Sequence, residues 1–305
     1  MSILFVSKIR DPIPWKALLE KEFPNLTFYL ADAPHNPEEI HYALVWLHDL
    51  GQLNGYPHLK LIQNLGAGVD HLMRASDVPA DVPISRLEDA GLAKQMTQYV
   101  AHFVLRFHRQ FHQYDSIQTW RPSDPAQFKG RVSVLGAGVL GHAVIQGVAQ
   151  LGYSVSCWRN RPIPVENAEV YTGADGLSAL LNQTDILVCL LPLTPSTEGI
   201  LCKANLDKLP SGACLINVGR GAHLIEEDLI PLLDSGRLGH VVLDVFSVEP
   251  LPSEHPFWSH PNITVTPHIS ALTIASLAQS QVLENIQRCE SGQAPLRLVS
   301  PQRGY

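Results

Sequence analysis

The sequence predicts an α/β protein made of two doubly wound, parallel-sheet (Rossmann-like) domains with a cleft between them. Short β-rich runs alternate with helix-like runs almost throughout, the pattern of a parallel sheet covered on both faces. The series occurs twice, with a long helical stretch between the two. The letters LGAGV also occur twice, at Leu65–Val69 and Leu135–Val139, each after a short apolar run. With 305 residues, 45% of them hydrophobic, the chain can bury two cores.

In chain order, the first series of strands is ILFVS, TFYL, ALVW, KLIQNL and PISRL, with helical stretches such as WKALLEKEF between some of them. A helical pattern follows from Leu92 to about Gln118, its apolar residues recurring at helical spacing through MTQYVAHFVLRF. RPSDPAQFKG breaks it. The second series is RVSVLG, SVSCW, ILVCLL, ACLINVG, HVVLDVF and ITVTPH, with helices such as EEDLIPLLDSG between several of these. A last helix, TIASLAQSQVLENIQRCESG, is expected to pack back on the first unit. The domains expected are therefore 1–95 plus 277–305, which is discontinuous, and 96–276.

The bulk numbers exclude several classes of function. Net charge is -7 and the basic residues are scattered, which argues against nucleic acid. No segment approaches the ~20 apolar residues of a membrane span, and the N-terminus is too short in apolar residues for a signal peptide. Five cysteines without a C-x-x-C fit reduced thiols in a cytoplasmic protein. HDL and HRQFH lack a supporting carboxylate cluster, so no metal is expected. No G-x-S-x-G elbow exists for serine hydrolysis.

The second LGAGV extends into G-x-G-x-x-G through Gly136, Gly138 and Gly141, between a predicted strand and a predicted helix. The glycines suit a tight turn, the close approach of a pyrophosphate and helix–strand packing, and the helix N-terminus favours the negative charge. A purely structural turn is the alternative. The next strand ends in WRNRP, where NAD enzymes carry an acidic residue for the ribose 2′-hydroxyl. Here Arg159 and Arg161 flank Asn160. An arginine can pair with a 2′-phosphate, which points to NADP(H) in preference to NAD(H). Two solvated surface arginines are the alternative.

Three later strands end in polar residues. ACLINVG runs into Arg220, HVVLDVF carries Asp244 and leads to Glu249, and ITVTP ends at His268. If these strands are parallel, their C-terminal ends share one edge with the glycine-rich turn, where ligands of open α/β sheets bind. The residue types fit reduction of a 2-oxo acid. His268 can donate the proton, Glu249 can fix its tautomer and favour its charged form, and Arg220 can grip the substrate carboxylate and polarise the carbonyl. Asp244 is placed for the nicotinamide carboxamide.

On VLGAGVLG, LLPLTPSTEGI, LINVGRGAHLIEEDL, LDVFSVEPLP and TPHIS, in that order, the chain resembles the D-isomer-specific 2-hydroxyacid dehydrogenase family over essentially its whole length. LGAGVDHLM, RLEDAGLAKQMTQY and the terminal RGY look like its glyoxylate/hydroxypyruvate reductase A branch. The resemblance implies a catalytic set of Arg220, Glu249 and His268, with Asp244 anchoring the nicotinamide. It extends the cofactor contacts to Val139, Leu140, Leu191, Pro192, Thr197, Val218 and Gly219. It implies that backbone N–H groups of Ala67, Gly68 and Val69 bind the substrate carboxylate. The two LGAGV copies then serve different anions. Trp46 lines the substrate pocket or is a core residue. The resemblance also implies a homodimer. The function expected is NADPH-dependent reduction of glyoxylate and hydroxypyruvate. The alternatives are a nucleotide-sensing, corepressor-like binding protein and a dehydrogenase of larger D-2-hydroxy acids.

Overall fold

The computed structural model describes residues 1–8, 10–115, 118–120, 122, 130–300, 302 and 304. Most of the RPSDPAQFKG break and of the terminal RGY lies outside the described residues. The chain forms an α/β fold of two compact units, Met1–Gly91 with Thr273–Tyr305, and Leu92–Leu272.

The first unit is built on a parallel sheet of β1 (Ser2–Ser7), β2 (Thr27–Leu30), β3 (Tyr42–Trp46), β4 (Leu61–Asn64) and β5 (Ile84–Ser85). Its spatial order is β2-β1-β3-β4-β5. The strands β1, β3 and β4 are almost entirely buried; β1 and β3 carry unbroken apolar runs, and β4 buries the polar Gln63 and Asn64 beside Leu61 and Ile62. Helix α1 (Pro12–Glu22) starts cleanly because the Asp11 carboxylate accepts from the Ile13 N–H and Pro12 fixes the first turn. The short α2 (Asp70–Met73) follows β4. The C-terminal segment belongs here for a stated reason. Asn285, fully buried on α8 (Ala275–Glu290), donates to Gln63 Oε1 at 2.9 Å and Ser85 Oγ at 2.8 Å. It also accepts from the Leu296 N–H at 2.8 Å. One amide thus ties the last helix and the tail to β4 and β5, and each buried polar group finds its partner.

The second unit carries seven parallel strands in the order β12-β11-β10-β9-β6-β7-β8. They are β6 (Arg131–Leu135), β7 (Ser154–Trp158), β8 (Glu169–Tyr171), β9 (Ile186–Cys189), β10 (Ala213–Asn217), β11 (Leu238–Leu243) and β12 (Ile263–Val265). Between them lie α4 (Val139–Gln150), α5 (Gly173–Asn182), α6 (Lys203–Leu206) and α7 (Glu226–Asp234). Helix α3 (Leu92–His108) packs on α4 through Met96, Val100, Val104 and Phe107, against Val144, Ile145 and Val148.

Two details differ from the sequence expectation. The helix from Leu92 does not run on to Gln118. It ends at His108, Gln110 takes a left-handed conformation (φ 55°), and Phe111–Tyr114 form a 3₁₀ turn. A left-handed residue cannot continue the i→i−4 ladder, and Arg106 then pairs with Asp115 beyond the turn. The edge strand β8 has no counterpart in the sequence reading. It is three residues long and only partly buried, so it shows neither alternation nor an apolar run.

Candidate active site

All six ladders of the second sheet are parallel, so the C-terminal ends of its strands share one edge. The turn after β6, Arg220 after β10, Asp244 and Glu249 after β11 and His268 after β12 all lie there.

The turn after β6 fits a pyrophosphate. Gly136 has φ +100° and packs so closely that a Cβ would lie 2.7 Å from the Leu190 carbonyl oxygen. A Cβ on Gly141 would lie 1.9 Å from the Gly136 oxygen. A Cβ on Gly138, by contrast, would meet nothing within 4 Å, so the backbone there faces open space. Gly138 caps α4 without a side-chain bond, which leaves the N–H groups of Val139 and Leu140 at the helix start for an anion. Val139 is 47% exposed, and the first intrahelical bond runs from His142 N to Gly138 O at 2.8 Å.

Arg159 directly follows β7, and the adjoining Trp158 carbonyl accepts from the Gly136 N–H at 3.0 Å, so Arg159 sits beside the glycine-rich turn. Its guanidinium donates to Ile163 O at 3.3 Å, and among the described residues no carboxylate pairs with it. Asn160 and Arg161 are exposed. Leu191 and Val218 are buried, and the Thr197 hydroxyl donates to the Pro192 carbonyl at 2.7 Å, bracing the loop after β9.

The loop after β10 is held by its own bonds. Asn217 Nδ2 donates to Arg220 O at 3.0 Å, the Gly219 N–H donates to Asn217 Oδ1 at 3.2 Å, and the Arg220 N–H donates to His223 Nδ1 at 3.0 Å. Arg220 Nη1 donates to Gly219 O at 2.8 Å, which directs a half-buried guanidinium from a fixed backbone.

His268 Nδ1 lies 2.8 Å from Glu249 Oε2. The other Glu249 oxygen accepts from the Phe246 N–H at 3.0 Å. Burial works against the Glu249 charge, but the bond from His268, the His268 charge, the Phe246 N–H and the nearby Arg220 outweigh it. Together they hold the carboxyl below its ordinary pKa. With Nδ1 engaged, Nε2 is the nitrogen left to act on a ligand.

Asp244 is fully buried. Its Oδ1 accepts from Thr266 Oγ1 at 2.6 Å and from the Ile269 N–H at 2.8 Å, and its Oδ2 accepts from the Ser270 N–H at 2.8 Å. These contacts bracket His268, which has φ 55°. The sequence reading missed Thr266, and also Tyr99, whose hydroxyl lies 2.6 Å from Thr266 Oγ1. No sequence signal joins two residues so far apart along the chain.

Trp46, Ala67, Gly68 and Val69 belong to the first unit, at the C-terminal ends of the adjacent strands β3 and β4. Asn64, fully buried, donates to the carbonyls of Gly66 (2.8 Å) and Gly68 (2.9 Å), and Arg86 donates to that of Ala67 at 3.4 Å. With the carbonyls engaged, the N–H groups of Ala67, Gly68 and Val69 meet no acceptor among the described residues. Trp46 is 7% exposed and packs against Gly66, where a Cβ would lie 2.0 Å from its ring. Its ring thereby shapes the loop after β4. Among the described residues, no group of three His, Cys, Asp or Glu could hold a metal ion, and no helix is long and apolar enough to cross a membrane.

A sequence model of the D-isomer specific 2-hydroxyacid dehydrogenase NAD-binding domain matches residues 100–270. A glyoxylate/hydroxypyruvate reductase A from Serratia proteamaculans is 40% identical over the full length of both chains. The chain belongs to the D-isomer-specific 2-hydroxyacid dehydrogenase family. Within that family of NAD(P)-dependent oxidoreductases it falls in the glyoxylate/hydroxypyruvate reductase A branch. Solved structures agree. A D-isomer specific 2-hydroxyacid dehydrogenase from Xanthobacter autotrophicus, in complex with NADPH and MES, superposes with a TM-score of 0.93 at 39% identity, covering 100% of this chain and 99% of that one. An NADPH-dependent glyoxylate/hydroxypyruvate reductase from Sinorhizobium meliloti, in complex with NADP and sulfate, gives 0.91 at 35% identity, again covering 100% and 99%.

Proposed function

We propose that this chain reduces small 2-oxo acids with NADPH, converting glyoxylate to glycolate and hydroxypyruvate to glycerate. The observation that carries the reading is the His268–Glu249 pair at 2.8 Å, on the same sheet edge as Arg220 and the glycine-rich turn. The likeness to an NADPH-dependent reductase of these substrates supports it.

The second unit is the dinucleotide-binding domain. The N–H groups at the start of α4 take the pyrophosphate, and Arg159, with Asn160 and Arg161 beside it, takes the 2′-phosphate. Leu191, Pro192, Thr197, Val218 and Gly219 contribute the remaining walls. Asp244 would hold the nicotinamide carboxamide. The first unit is the substrate-binding domain, in which the N–H groups of Ala67, Gly68 and Val69 bind the substrate carboxylate.

When bound, the nicotinamide supplies a hydride to the carbonyl carbon. Arg220 holds the carboxylate and stabilises the charge that grows on the carbonyl oxygen. His268 holds a proton on Nε2 and gives it to that oxygen, while Glu249 stabilises the imidazolium through Nδ1. None of the five cysteines forms a disulfide and two are buried, which suits a reducing compartment; we assign the protein to the cytoplasm, and to a homodimer on its family resemblance. The test is turnover of glyoxylate, hydroxypyruvate and bulkier 2-oxo acids with NADPH and NADH. The reading expects the two small acids with NADPH to give the highest kcat/KM. Absence of turnover on every acid would favour a nucleotide-sensing binding protein, and a preference for bulky acids would favour a dehydrogenase of larger D-2-hydroxy acids.

A further inference from the structure

The loop that carries His268 does not hold its shape by itself. His268 is a non-glycine residue with φ 55°, a left-handed conformation that such residues keep only where their surroundings impose it. Asp244 imposes it. The Asp244 carbonyl accepts from the His268 N–H at 2.9 Å, and its carboxylate accepts from the next two N–H groups, Ile269 and Ser270, both at 2.8 Å. The third donor is the Thr266 hydroxyl at 2.6 Å. Thr266 spends its hydrogen on Asp244, so the oxygen at 2.6 Å on its other side, that of Tyr99, must be the donor to Thr266. The tyrosine hydroxyl is well suited to this. Burial, with the Asp244 charge adding to it and the Thr266 bond opposing it, pushes its pKa upward and keeps the proton on.

We propose that Tyr99, acting through Thr266, is a positioning residue for catalysis: it orients the Asp244 carboxylate and thereby the backbone that aims the His268 imidazole. The chain of bonds starts on α3, four residues past Gln95, which binds the far end of the same loop. Gln95 Nε2 donates to Leu272 O at 2.9 Å, and Gln95 Oε1 accepts from the Leu272 N–H at 3.1 Å. One turn of α3 therefore grips the 266–272 segment at both ends. The proposal rests on His268 being the proton donor, as argued above.

The test is steady-state kinetics of four variants with glyoxylate and NADPH. Tyr99→Phe removes one hydroxyl and leaves the ring. It should lower kcat roughly tenfold, since a displacement near 1 Å can cost up to about 10²-fold, while KM for glyoxylate stays within about twofold. Thr266→Val breaks the next link and should match that loss. The double variant should lose no more than the worse single, because both act through one chain of bonds. Thr266→Ser keeps the hydroxyl and should keep most of the turnover. Wild-type kcat in Tyr99→Phe, or multiplied losses in the double variant, would overturn the relay. Full turnover in His268→Asn, measured beside these, would overturn the underlying assignment instead.

Discussion

His268 Nδ1 and Glu249 Oε2 stand 2.8 Å apart beyond the ends of two adjacent parallel strands, β12 and β11, and the proposed proton transfer depends on this contact. Replacing Glu249 with Gln keeps the size of the side chain but removes the charge that stabilises an imidazolium. Turnover of glyoxylate should fall on the order of 10²-fold, within the range of a general acid's contribution, with NADPH affinity nearly unchanged. Titration calorimetry with NADPH alongside steady-state kinetics checks both halves. An unchanged kcat would separate Glu249 from catalysis.

The same pair has a stability consequence with a defined sign. The Glu249 pKa is lowered in the folded protein, so its contribution is present above the unfolded value of 4.5 and is lost as pH falls through the folded value. Glu249→Gln should therefore flatten the acid limb of the melting curve below that pH. Thermal melts of both proteins from neutral pH downward would read it.

His240 sets a second, higher acid limit. It is 6% exposed, lies against the tilted rings of Phe107 and His112, and burial pushes its pKa from 6.5 down to about 4. Between those values the unfolded chain binds a proton that the native protein refuses, so stability rises with pH across this window. Lowering the pH from 7 to 5 should cost on the order of 2 kcal/mol through this residue. His240→Gln should narrow the gap between melting temperatures at those two pH values. An equal gap would show that the buried imidazole is not responsible.

On the proposed function, cofactor choice turns on Arg159, whose guanidinium donates to Ile163 O and pairs with no carboxylate among the described residues. A charge-assisted bond to a 2′-phosphate is worth about 1.5–3 kcal/mol, so one contact gives roughly ten- to hundredfold preference for NADPH. Arg159→Asp removes the attraction and adds repulsion, and should shift the preference toward NADH. The measurement is kcat/KM for both cofactors at saturating glyoxylate. A ratio that hardly moves would make Arg159 an ordinary surface residue.

Much of the fold was legible because buried parallel strands announce themselves as unbroken apolar runs. Leu4, Phe5 and Val6 of β1 or Ile186, Leu187 and Val188 of β9 read as strand from composition alone. The strand-end placement of Arg220, Asp244, Glu249 and His268 followed from the parallel pattern. What stayed hidden were features that depend on local geometry or on distant partners. The end of α3 depends on the left-handed Gln110, and β8 depends on pairing with β7 rather than on its own three residues. Most of the bonding capacity of Asp244 goes to the loop around His268, and neither Thr266 nor Tyr99 carries a motif that would reveal this.

The central claim, that His268 delivers the proton, is tested most directly by the kcat of His268→Asn with glyoxylate and saturating NADPH, with NADPH binding measured on the same protein. The kcat should fall roughly 10²–10⁴-fold, while the dissociation constant for NADPH stays within about twofold because the glycine-rich turn and Arg159 are untouched. A variant that binds NADPH and turns over glyoxylate at near the wild-type rate would contradict it.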